Sequence, residues 1–199
     1  MIRFQSLCKH LSRALSANLL IALAFATSGQ GTAAAGTATK GNLKVDALAP
    51  DFTLKNQDGQ PFNLAQRKGK GWTVLYFYPK AGTPGCTKQA CAFRDSIKYI
   101  REKKAEVYGI SADTVEAQKK FHTEHHLSFD LLADPNDVAI EAYGVKMPIT
   151  GNAKRWTFIL DPELVVRHID DDVDPLLDAK KSAAIIEDLQ KKQKGAPAP

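Results

Sequence analysis

The chain has 199 residues, 44% hydrophobic and 25% charged, which suits one globular domain with extensions and excludes a wholly disordered or fibrous chain. Its net charge of +5 is partly local: residues 1–35 carry three of the 27 Lys+Arg and no acid, so the remainder has 24 against 22 Asp+Glu, or +2. That balance is too near neutral to argue for a nucleic-acid binder or a protein of anionic surfaces.

Residues 1–35 read as a leader. Arg3, Lys9 and Arg13 form a basic start, Ala14 to Ala26 an apolar stretch, and Ala24-Phe25-Ala26 and Ala33-Ala34-Ala35 offer small-x-small cleavage sites near 26 or 35. The stretch falls short of the ~20 residues a spanning helix needs. The expectation is a cleaved secretory signal and an exported, periplasmic protein whose mature form has no membrane segment. An organellar transit peptide is the alternative, because the segment holds Arg and Ser and no acid; an uncleaved anchor is another. Cys8 precedes the apolar run and is expected to leave with the leader. Residues 36–46 read as a flexible linker, 47–193 as the domain, and 194–199 as a loose tail.

Within the domain, Phe52 to Lys55 and Pro61 to Leu64 flank the turn residues Asn56 to Gln60 and predict a hairpin. Trp72 to Tyr78 is a β-branched and aromatic run that predicts a buried central strand, so Trp72, Tyr76 and Phe77 are core candidates. A helix is expected from Cys86 to Lys104, with Ala90, Phe93, Ile97 and Ile100 at helical spacing. A strand from Glu106 to Ala112 follows, then a helix capped at Asp113-Thr114 and running to His126. Ser128 to Ala133 predicts a strand, and Asn136 to Tyr143 a short helix closed by Gly144. Lys154 to Leu160 and Leu164 to Ile169 predict a second hairpin. Pro175 opens a last amphipathic helix that is expected to bury Leu176, Leu177, Ala183, Ile186 and Leu189. Strands alternating with helices and a closing hairpin predict a layered α/β domain with a mixed sheet.

The segment Pro79-Lys80-Ala81-Gly82-Thr83-Pro84-Gly85-Cys86 joins the central strand to the first helix. A thiol at a helix N-terminus meets unpaired N–H groups and the positive end of the dipole, which favour thiolate. Cys91 lies five residues on and can capture what the first thiol becomes.

This stretch resembles the active site of the peroxiredoxins, in the branch called bacterioferritin comigratory protein or peroxiredoxin Q. The family's Pro-x-x-x-Thr-x-x-Cys motif is matched by Pro79, Thr83 and Cys86. Further blocks follow in order: Ala49-Pro50-Asp51-Phe52, Gly109 to Asp113, Leu131 to Asp134, Tyr143 to Val145, and Arg155 to Asp161. The resemblance implies a thioredoxin-like fold with an N-terminal β-hairpin extension and a thiol-dependent peroxidase that reduces hydrogen peroxide and organic hydroperoxides. It makes Cys86 peroxidatic and Cys91 resolving. Thr83 would orient the peroxide, Arg155 would stabilise the thiolate and the leaving oxygen, and Pro79 would shape the pocket. Backbone N–H groups of Gly85 and Cys86 are further substrate-binding donors. It implies no metal, haem or flavin, and a thioredoxin-like dithiol protein as reductant. A monomer is expected, since the resolver is on the same chain.

Two other classes compete. A thiol–disulfide oxidoreductase acting on proteins shares the fold but would carry Cys-x-x-Cys, absent here. A non-catalytic module would hold Cys86 and Cys91 as a structural bridge, or zinc with His122 and His126. Those histidines, with His125, read more simply as solvated helix residues, and Asp170 to Asp172 with Asp174 as an acidic loop rather than a calcium site. The family pattern fades after Asp161, and Asp178-Ala179 offers no histidine where relatives often carry one near the last helix.

Overall fold

The computed structural model describes residues 43–195. The leader, its cleavage sites, Cys8 and residues 196–199 of the expected tail lie outside them.

Seven strands form one sheet in the order β2-β1-β5-β4-β3-β6-β7. The expected first hairpin is β1 (Thr53–Asn56) and β2 (Pro61–Asn63), turned by Gly59 at φ 75°. Asn56 closes it by accepting from the N–H groups of Asp58 and Gln60. The hairpin sits at the edge, where β1 pairs antiparallel with β5 (Asp130–Ala133). In the centre, β3 (Trp72–Phe77) pairs parallel with β4 (Ala105–Ser111), and β4 pairs parallel with β5. β6 (Trp156–Leu160) runs antiparallel on the other side of β3 and pairs with β7 (Val166–Asp170). The sheet is therefore mixed, as its sequence pattern predicts.

Every residue of β3 is buried, because helices cover both faces. Leu75 and Phe77 join Tyr143, Phe158 and Ile140 of α3 (Val138–Ala142) on one face. Trp72, Val74, Tyr76 and Tyr78 face α1 (Pro84–Glu102) and α4 (Asp178–Gly195), beside Phe93, Ile100, Ala183 and Ile186. Phe121 of α2 (Val115–Glu124) closes the same face. The aromatic run is thus core on both sides, with Tyr76 stacked on Phe93 at 4.7 Å between centroids.

Some boundaries move. The first helix opens at Pro84, two residues before Cys86, because proline is suited to the first helical position, where its missing N–H costs nothing. The last helix opens at Asp178, not Pro175. Leu176 and Leu177 lie in the turn before it, are exposed, and do not join the core. Asp174 holds that turn by accepting from the Leu176 N–H through its carboxylate and from the Asp178 N–H through its carbonyl. The end of the expected linker is tied to the sheet, since the Asp46 N–H donates to the carbonyl of Val166.

Candidate active site

Topology brings the site together. β3 ends at Phe77, and the chain then loops through Pro79 to Thr83 into α1. In the antiparallel register Phe77 faces Trp156, so Arg155, one residue earlier, stands beside that loop. Along β6 the side chains alternate. Phe158 and Leu160 enter one core and Ile159 the other.

With Pro84 opening the helix, Cys86 lies in its first turn and is buried, 1% exposed. In this turn the N–H groups of Gly85 and Cys86 have no acceptor within the helix, while the Thr87 N–H reaches the Thr83 carbonyl at 2.8 Å. Arg155 Nη2 donates to Cys86 Sγ at 3.4 Å. The guanidinium thus fixes a charge-assisted donor against the sulfur. The α-carbon of Gly85 lies against the same guanidinium: a Cβ there would meet Arg155 Nη2 at 3.2 Å.

Thr83 occupies the N-cap position but makes no side-chain cap; its hydroxyl donates to the Lys80 carbonyl at 2.9 Å, leaving the oxygen free to accept. Pro79 is half-buried at the start of the loop. The loop is braced from behind, as the Ala81 N–H donates to Asp113 Oδ2 at 2.7 Å, and so does the Ser111 hydroxyl. Gln118 Nε2 donates to Ser111 Oγ, and the Tyr78 hydroxyl donates to Gln118 Oε1. Burial pushes the Tyr78 phenol up, so it stays protonated and donates throughout the neutral range.

Cys91 is half-buried on the same helix, and both thiols are free. The structure therefore brings Cys86 and Arg155 into contact with Gly85 close by, places Thr83 and Pro79 on the adjoining loop, and leaves Cys91 further along α1. His122 and His125 are partly buried and His126 is exposed. Desolvation holds His122 below its ordinary value. Among the described residues no group of three or more His, Cys, Asp or Glu is arranged to hold a metal ion.

Sequence reasoning missed two residues. Gln89 is fully buried, and its Oε1 accepts from Arg155 Nη1 at 2.5 Å. Its spacing of three from Cys86 puts it on the same helix face, a signal that was available. Asp178, 1% exposed, accepts from Gln89 Nε2 at 2.6 Å.

A family model described as the AhpC/TSA family matches residues 45–169. The chain belongs to the AhpC/TSA family. Its relatives in that family include peroxiredoxin bcp1 of Schizosaccharomyces pombe, 36% identical over 151 residues that cover 74% of this chain and 76% of that one. A chloroplastic peroxiredoxin Q of Triticum aestivum is 44% identical over 130 residues, 65% of this chain and 59% of that protein. The chain thus spans about three fifths of that plant relative's length. Among solved structures of AhpC/TSA type, peroxidoxin BcpB of Mycobacterium tuberculosis superposes with a TM-score of 0.71 at 35% identity, covering 74% of this chain and 99% of that one. These names place the chain with the peroxiredoxin Q and bacterioferritin comigratory branch. Its sheet and flanking helices are the thioredoxin-like peroxiredoxin fold, extended at the edge by the β1-β2 hairpin.

Proposed function

We propose that this protein is a thiol-dependent peroxidase in which Cys86 attacks the peroxide and Cys91 resolves the product. The observation that carries this reading is the contact of Arg155 Nη2 with Cys86 Sγ at 3.4 Å, at the first turn of a helix. The thiolate sulfur attacks one peroxide oxygen. An S–O bond forms, the O–O bond breaks, and the second oxygen leaves with a proton as water or alcohol. Sulfur is oxidised to sulfenic acid and the peroxide is reduced. Arg155, with the Gly85 and Cys86 N–H groups, supplies donors where negative charge develops. Thr83 Oγ accepts from the peroxide hydroxyl and orients it. Cys91 sulfur then attacks Cys86 sulfur, a disulfide forms, and the sulfenic oxygen departs as water.

A dithiol donor of thioredoxin type supplies two electrons and returns both thiols. Organic hydroperoxides join hydrogen peroxide as substrates; a Xanthomonas campestris relative, with a TM-score of 0.67 and 26% identity, is named for alkyl peroxide reduction activity. The resolver on the same chain supports a monomer. The basic, acid-free leader supports delivery out of the compartment of synthesis, to the periplasm or, as in the chloroplastic relatives, an organelle.

Stopped-flow mixing of the reduced protein with hydrogen peroxide, followed by tryptophan fluorescence and thiol counting, tests the reading. Two thiols of Cys86 and Cys91 should be lost per peroxide. Cys86→Ser should abolish the reaction, and Cys91→Ser should halt it at a sulfenic acid. Thiols that survive excess peroxide would sink the peroxidase and favour exchange with protein disulfides.

A further inference from the structure

Asp178 is the first residue of α4, yet its carboxylate points inward and is buried. Its three side-chain partners are neutral. Gln89 Nε2 of α1 donates to Oδ2 at 2.6 Å, Thr157 Oγ1 of β6 donates to Oδ2 at 2.8 Å, and Ser182 Oγ donates to Oδ1 at 3.3 Å. Three donors converging on a carboxyl group fit its ionised form, which only accepts. Burial pushes its pKa up and these hydrogen bonds oppose the push. Asp170 on β7 and Tyr76 on β3 are the other titratable groups that feel its charge.

The amide of Gln89 lies between this carboxylate and Arg155. A guanidinium has donors and no acceptor, whereas a carboxylate has acceptors and no donor. One amide orientation satisfies both: oxygen toward Arg155, nitrogen toward Asp178. The flipped orientation sets donor against donor and acceptor against acceptor in a dry interior, where unmade hydrogen bonds are costly. The same Arg155 whose Nη1 is held by Gln89 presents Nη2 to Cys86.

On the peroxidase reading above, we propose that Asp178 is a positioning residue for the thiol site, fixing the Gln89 amide so that its oxygen holds Arg155 over Cys86. Asp178 touches no reacting atom. It acts through Gln89, and Thr157, one residue beyond Trp156 on β6, helps to aim its carboxylate.

The test uses the full-length chain carrying Cys8→Ser and Cys91→Ser, so that Cys86 is the sole thiol. The pH profile of iodoacetamide alkylation reports thiolate formation, and single-turnover mixing with hydrogen peroxide reports productive geometry. Asp178→Ala should move the alkylation profile toward alkaline pH and slow the peroxide reaction by about tenfold, the order expected from a modest misplacement. Asp178→Asn should recover most of both, because its amide oxygen accepts from Gln89 and Thr157. Gln89→Leu should reproduce the alanine loss, and combining it with Asp178→Ala should add nothing. If the alanine variant does not fold, Asp178→Leu, closer in volume, is read the same way. A folded Asp178→Ala or Asp178→Leu protein with an unmoved profile and undiminished rate would overturn the proposal. So would losses that add in the double variant. A parent thiol that alkylates readily but ignores peroxide would sink the peroxidase reading instead, leaving the alkylation profiles to judge Asp178.

Discussion

Cys86 and Cys91 stand on one continuous helix, the first buried and the second half-buried, with their thiols unpaired. Five residues along an α-helix separate them by roughly 7.5 Å of rise and about 140° of rotation. A disulfide needs α-carbons within about 7 Å and converging Cβ vectors. The intact first turn of α1 therefore cannot hold the bond, and the turn must unwind for Cys91 to reach Cys86. Unwinding would also withdraw Gln89 from Arg155 and Asp178.

Amide hydrogen exchange should register that event. In the reduced protein the N–H groups of Thr87 to Cys91 should be protected; in the oxidised protein they should exchange freely, while those near Ile100 stay protected. Equal protection of the first turn in both redox states would show that resolution needs no melting.

Arg155 supplies two separate nitrogens, one to sulfur and one to Gln89. A lysine ammonium is a point charge on a flexible stem and cannot span both partners in a fixed fork. Arg155→Lys should slow the peroxide reaction by about 10²–10³-fold, the range for losing a preorganised donor, and leave thermal stability nearly unchanged. Stopped-flow rates of the variant at several peroxide concentrations decide it; a rate within threefold of the parent would refute the bidentate role.

Much of this was legible along the chain. The run Trp72 to Tyr78 announces a strand buried on both faces, and the turn residues Asn56 to Gln60 announce the edge hairpin. Cys86, Thr83 and Arg155 stand out because a family pattern carries them. Gln89 and Asp178 did not stand out, for a physical reason. Polar residues in a helical pattern read as solvent-facing, and their burial is made tolerable by each other, across 89 positions of sequence. Periodicity reports local faces; it does not report which distant polar group completes a buried pair. Leu176 and Leu177 erred in the opposite sense: apolar residues at helical spacing proved to be an exposed turn, because the helix waits for the carboxylate of Asp178 to enter the core.

Glu187 of α4 ties that helix to the end of α1. Lys103 Nζ donates to its Oε2 at 2.6 Å, and Lys191 Nζ to its Oε1 at 2.8 Å. These two cations hold its carboxyl at about 2, below the ordinary 4.5. A lowered carboxylate value contributes stability that is present above the unfolded value and lost as pH falls through the folded one. Glu187→Gln should therefore melt below the parent at pH 7, and the gap should narrow as pH falls from 4.5 toward about 2. Because the Lys191 arm is exposed, 0.5 M salt should also narrow the gap, though only in part, since the Lys103 side chain is largely covered. Thermal melts of both proteins across that range check the sign; a gap that widens in acid would contradict it.

Tyr76 shares one buried core with Cys86. Gly109 sits in β4 opposite Tyr76 of β3, and a Cβ built there would lie 2.5 Å from the Tyr76 ring carbon and hydroxyl oxygen and 2.8 Å from Leu131. Tyr76 has nowhere to go: it is fully buried and stacked between Tyr78 and Phe93 of α1. Gly109→Ala should therefore destabilise the domain by about 1–3 kcal/mol through overpacking. The strain should pass through Phe93 into the helix that bears Cys86, so the peroxide reaction should slow as well. Urea unfolding gives the first quantity and stopped-flow mixing the second. Tyr76→Phe in the same background removes the crowded hydroxyl oxygen and should return part of the lost stability. If Gly109→Ala unfolds at the parent's urea midpoint, Tyr76 is not wedged as its contacts require.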